Sequence, residues 1–187
     1  RKLYSNARQR TTIHLRLADC YRGMRDYKKA MDQLVEVLAK KGKGGNLTAQ
    51  LQAAETLYAA GAEDCTEYVK SILGDEEDED TGNNIIWGWK KLAQQTGGNQ
   101  DFARYFFEAK LYGVRARRMY AACMDSDDET KKRKLLTAAK GNLLQIYNQF
   151  PSLGGESFKA EFVSEMKQVQ AVLGEEQVGF PLREVEA

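Results

Sequence analysis

The chain has little of several things. It holds one histidine, three cysteines and two prolines in 187 residues, and its formal net charge is +1. With His14 as the lone imidazole and no Cys-x-x-Cys spacing, it lacks the ligands of a structural metal site. Charge this close to neutral argues against nucleic acid as the main ligand. No apolar run approaches the roughly 20 residues needed to span a bilayer, and no signal peptide opens the chain. Cys20, Cys65 and Cys123 are odd in number and widely spaced, and each falls on or beside an apolar stripe. That placement favours small buried hydrophobes with free thiols.

Catalytic constellations are missing as well. His14 and Cys20 lie six residues apart, which points them about 120° from one another on a helix and rules out a dyad. The glycine clusters 42–45 and 96–98 lack the preceding strand and following helix of a phosphate cradle, so turns between helices account for them. The expectation is a non-enzyme with no catalytic residue, no metal and no cofactor, since an activity needs a site to carry it.

What the sequence does have is helical periodicity. It is 42% hydrophobic and 29% charged, and its apolar residues recur at steps of three and four through about eight segments. The first carries Ile13, Leu17, Cys20, Tyr21 and Met24, starting as early as Leu3, and the second Tyr27, Ala30, Met31, Leu34 and Leu38. A third runs through Leu47, Leu51, Ala54 and Tyr58, and a short fourth through Cys65, Tyr68, Val69 and Ile72 to Gly74. A fifth is read across Ile85, Trp89, Leu92 and Ala93. The sixth is the clearest, with a main stripe from Phe102 through Phe106, Ala109, Gly113 and Ala116 to Cys123, and a second stripe of Phe107, Leu111 and Val114. Leu136, Ala139, Leu143 and Ile146 mark a seventh, which Pro151 stops, and Phe158, Phe162, Met166, Val169 and Leu173 mark the last. Tight connections favour antiparallel neighbours, so the fold class is all-α.

Leu17-Ala18, Tyr21, Tyr27-x-x-Ala30, Leu34 and Val37 put large and small apolar residues where two helices pack along their length. Small residues let the backbones approach and large ones fill the grooves beside them. This stretch resembles a tetratricopeptide repeat (TPR), with one good repeat over about residues 11–42 at the family's period of about 34 residues. Ala53-Ala54, Leu57 and Gly61, and later Ala139, Leu143, Ile146 and Pro151, resemble degenerate repeats. The resemblance implies a right-handed array of antiparallel helix pairs over residues 1–174, with an acidic loop at 75–82 between its halves and a C-terminal tail at 175–187. It further implies a protein-interaction module or scaffold whose first helices line a concave face, presenting Leu15, Arg16, Asp19 and Arg22. Only Arg16 resembles the chemistry with which the family grips a C-terminal carboxylate, so that ligand class is disfavoured.

Other candidate contacts lie elsewhere. Trp87 sits about 200° from Ile85 on a helix, and is read either as core or as an exposed anchor for a partner. Arg115, Arg117 and Arg118 form a basic cluster, read as a solvated face or, with Arg115 and Arg118 in contact, as a site for an acidic peptide. The six acids at 75–80 read as an exposed loop through self-repulsion, or as a docking loop for a basic partner or the basic run 131–134. The apolar tail around Phe180 either packs back on the helices or leads onward. The functional expectation is binding of a protein or peptide partner, without nucleic acid or membrane insertion. A structural subunit of a larger or homo-oligomeric assembly is the alternative. A first residue of Arg1 suits a piece of a longer chain, and localisation stays open.

Overall fold

A computed structural model describes residues 7–39, 46–77, 84–125 and 128–181. Among these the chain is all-α, with eight α-helices: α1 Ala7–Gly23, α2 Tyr27–Leu38, α3 Leu47–Ala60, α4 Thr66–Leu73, α5 Gly88–Thr96, α6 Ala103–Ala122, α7 Glu129–Gln149 and α8 Glu156–Leu173. A 3-10 turn, Gln100–Phe102, precedes α6, and two short strands, β1 Asp75–Glu77 and β2 Asn84–Ile86, pair antiparallel between α4 and α5. None of the described helices is long and apolar enough to cross a membrane. The chain divides into two compact units, Arg1–Gln95 and Thr96–Ala187.

In the first unit α1 packs on α2, α2 on α3 and α3 on α4, while α1 also reaches α3. The seam is built from alanine: Ala18, Ala49 and Ala53 are buried with Leu34, Val37, Leu38, Leu57 and Ile86, and small side chains allow the helices to close up. The turns follow local chemistry. Asp26 caps α2 by accepting from the Lys29 N–H at 3.2 Å, and Asn46 caps α3 by accepting from the Ala49 N–H at 3.1 Å. At Gly61 a Cβ would run into the ring of Tyr68, so only glycine lets α4 turn this closely onto α3.

Two readings change in the segment after α4. Asp75 to Glu77 form β1 and Ile85 and Ile86 belong to β2, so the fifth helix starts at Gly88 and excludes both isoleucines. Residues 78–82 of the acidic loop lie outside the described residues; the rest of it falls within the first unit. The physical reason is the pair of glycines that brackets the hairpin. Gly74 (φ 99°) and Gly88 (φ 64°) occupy left-handed backbone, and a Cβ on Gly74 would strike the Ile86 carbonyl oxygen. β-branched Ile85 and Ile86 then suit the extended conformation better than a helical one.

The second unit is a three-helix assembly in which α6, α7 and α8 each pack on the other two. Its core holds Phe107, Leu111 and Val114 of α6, Ala139, Leu143 and Ile146 of α7, Leu153, and Phe162, Met166 and Val169 of α8. The stripe of α6 read as secondary therefore carries this core. On the stripe read as primary, Ala109, Gly113 and Ala116 are buried, while Phe106 and the neighbouring Tyr105, Tyr112 and Tyr120 are half-buried. Tyrosines keep their hydroxyls near water, and residues without polar atoms take the interior. The tail packs back: buried Gln170 donates to the Gly179 carbonyl at 3.0 Å and accepts from the Gly179 N–H at 2.9 Å. Phe180 stacks on Tyr147 with ring centroids 4.6 Å apart.

The cysteines also depart from expectation. Cys20 is a free thiol on the surface, Cys65 is half-buried and Cys123 is exposed, so none is the fully buried residue read from apolar neighbours.

Candidate interaction surfaces

α1 turns Ala18 to the core, with Leu15 packed against the edge of that cluster. On the opposite side Ile13, Leu17, Cys20 and Met24 follow one another at steps of four, three and four, which aligns them in a stripe along the helix. Met24 lies just beyond the last residue of α1, but its N–H still donates to the Cys20 carbonyl at 3.1 Å, so it continues the same turn. Leu17 is 39% exposed and Met24 66%, and Cys20 is exposed between them. Arg10 and Arg16 border the stripe on either side; both are exposed, and neither has an ion-pair partner among the described residues.

The other residues read as a concave binding face are engaged inside the first unit. Asp19 takes an ion pair from Arg22 at 2.8 Å and a hydrogen bond from the Gln52 amide at 2.9 Å. Arg22 reaches across to the Glu55 carboxylate of α3 in a short contact. Asp19, Arg22, Gln52 and Glu55 thus form one network joining α1 to α3. His14 is held in the same way, its Nδ1 lying 2.9 Å from the Gln33 side-chain oxygen of α2. Of Leu15, Arg16, Asp19 and Arg22, only Arg16 is both exposed and without such a bond.

Trp87 is half-buried in the turn between β2 and α5, and Trp89 is the fully buried member of the pair. The Trp87 N–H donates to Gln50 Oε1 at 2.8 Å, and Lys91 Nζ lies 5.4 Å from its ring centroid. Gln50 itself is buried on α3, and its Nε2 donates to the Ile85 carbonyl at 2.8 Å. One amide side chain therefore binds two backbone groups that bracket Ile86. Sequence reading missed it, because a glutamine among alanines carries no signal of burial.

In the second unit Arg115 and Arg118 come together on a single acceptor. Arg118 holds Glu165 through Nε at 2.6 Å and Nη2 at 3.2 Å, and Arg115 adds Nε at 3.7 Å. Arg115 also pairs with Glu161 at 3.0 Å, and its guanidinium lies 5.1 Å from the Tyr112 ring centroid. Glu165 is 1% exposed, so the cluster is an internal α6–α8 bridge rather than a solvated face. Arg117 is turned inward too, donating to the Gly113 carbonyl at 3.0 Å, and burial lowers its pKa. The sequence held no local signal of this bridge, since Arg118 and Glu165 lie 47 residues apart on different helices.

A second feature of this unit is a groove of about 260 Å³ lined by Asn99, Gln100, Ala103, Phe106, Phe107 and Phe150, with no titratable side chain on its wall. The three phenylalanines pack edge to face at 5.2, 5.3 and 5.6 Å. Its volume falls below the roughly 300 Å³ at which small-molecule sites begin. Among the described residues no cluster of three His, Cys, Asp or Glu is arranged for a metal ion. Compared with known proteins, the chain matches no family model, no curated protein and no solved structure.

Proposed function

We propose that the chain is a non-catalytic protein-interaction module, a TPR-like array of helix pairs that binds a partner protein through the outer face of α1. The observation that carries this reading is the exposed apolar stripe of Leu17, Cys20 and Met24. Leu17 and Met24 stand in line with Cys20 between them, and a contiguous apolar strip of this kind, unlike scattered apolar residues, supports a surface that another protein covers. The TPR resemblance supports the same reading, since Ala18, Ala30, Leu34 and Val37 are all buried where two helices pack. Arg22, Arg115 and Arg118 then act as internal ties that hold the scaffold rigid, and Arg10 and Arg16 are charged groups left for a partner.

The test replaces Leu17 and Met24 together by aspartate and compares capture of interacting chains from the native source. Both side chains lie outside the core, so the circular dichroism spectrum and the unfolding midpoint should stay near those of the parent. The expected result is loss of one or more specific chains from the captured set. Capture that is the same with both proteins counts against the reading.

A further inference from the structure

We infer that the outer face of α1 receives an acidic amphipathic α-helix, whose apolar stripe lies along Leu17, Cys20 and Met24 and whose carboxylates meet Arg10 and Arg16. This rests on the interaction-module reading and names the chemistry of its partner.

The shape comes first. Ile13, Leu17, Cys20 and Met24 span three turns, about 16 Å along the axis, with one apolar step per turn. A ridge of this period is matched by the groove of another helix, which presents its own apolar residues at the same steps. An extended segment presents side chains at a period of two and would meet the ridge only here and there. The face is straight, and its two largest exposed members, Leu17 and Met24, stand seven residues apart, two turns on the same side.

The charge decides the sign of the partner. Arg10 and Arg16 flank the stripe, and Arg25 stands exposed just past Met24. None of the three has an ion pair among the described residues. Asp19, the one acid of α1, already has Arg22 and Gln52 as partners. The face is therefore apolar along its middle and cationic at its borders and its C-terminal end. A second copy of the chain is a poor occupant: whichever way two α1 helices ran, arginines would meet arginines, and like charges brought together at an interface cost several-fold in affinity or more. An acidic helix turns the same groups into attraction, and the borders would also speed its approach.

Cys20 supplies the measurement. It is the free thiol, and it lies in the middle of the stripe, so a bound helix must cover it. The probe is a synthetic amphipathic helix of about five turns, with leucines at the matching steps and glutamates beside them. Its control has lysine in place of each glutamate. Alkylation of Cys20 by iodoacetamide is followed by mass spectrometry on the intact folded chain. With the glutamate probe at ten times its dissociation constant, Cys20 should react about tenfold more slowly, since only about one site in eleven stays open. Rising salt should remove that protection, and the lysine control should give none. The double variant Arg10→Glu, Arg16→Glu should reverse the preference between the two probes.

Three results overturn the inference: no protection by either probe, equal protection by both, or protection that grows with protein concentration alone, which would make a second copy the occupant. Its failure is separable from that of the broader reading. If capture from the native source depends on Leu17 and Met24 while the acidic probe leaves Cys20 open, the partner's chemistry is wrong and the surface stands. If capture is indifferent to those residues, the surface itself is lost.

Discussion

Gln50 is fully buried, and its amide oxygen and nitrogen bind the Trp87 N–H and the Ile85 carbonyl at 2.8 Å each. A side-chain amide has one donor end and one acceptor end, as a peptide group does, so it satisfies both backbone groups at once. Replacing Gln50 by methionine keeps most of its volume and leaves both without that partner. The expected cost is about 2–4 kcal/mol, from one to two kilocalories for each unsatisfied group. Urea unfolding would read it as a lower midpoint at unchanged slope; an unaltered midpoint would show that water replaces the amide. Residues such as this were the hardest to find from sequence. Gln50, Gln170 and Glu165 are polar positions that an apolar-periodicity reading assigns to solvent, and each is buried. Their partners lie 35, 9 and 47 residues away, so no local pattern announces them.

Helices were legible where the apolar period ran over several turns, and less so where elements were short. Asp26 starts α2 because its carboxylate can accept the Lys29 N–H that the helix leaves unpaired. Hydrogen bonds from the Lys29 side chain and backbone, in that order, hold the Asp26 carboxyl below its ordinary pKa. Since the folded value is the lower one, the stabilisation is present above the ordinary carboxylate pKa of about 4 and is lost as pH falls through the folded value. Asp26→Asn keeps an oxygen at the cap and removes the charge. Its unfolding midpoint should fall less steeply than the parent's as pH drops below about 4, and superimposable profiles would show that the charge contributes nothing. Some acid dependence should remain from Asp64, which is held low by its hydrogen bonds to the Thr66 hydroxyl and N–H. The β1–β2 hairpin was not legible for the opposite reason. Strands of three residues show no period, and Ile85 and Ile86 fit a helix face as readily as a strand until the conformations of Gly74 and Gly88 are known.

At the scale of the whole molecule, the helical class followed from the recurrence of apolar steps across nearly the entire chain. The division between Gln95 and Thr96 falls at the last turn of α5, directly before the glycines at 97 and 98 that the sequence reads as a turn between helices. Each unit has a core of its own, and damage to one should show there first. Glu165→Ala leaves Arg118 without that carboxylate and Arg115 with Glu161 alone, at an expected cost of about 3–5 kcal/mol for breaking a buried ion pair. Hydrogen exchange should rise in α6 and α8, while the Ala30 to Leu38 stretch of α2 keeps its protection. Equal loss in both units would mean that they unfold as one. The hairpin adds a consequence for behaviour in a crowded solution. An isolated two-stranded ribbon usually leaves an open edge on which a strand from another molecule can add and begin to aggregate. The Ile85 carbonyl and the Trp87 N–H are edge groups of that kind, and Gln50 holds both. Along the β2 edge, groups that an added strand would need are taken by a side chain reaching over from a helix.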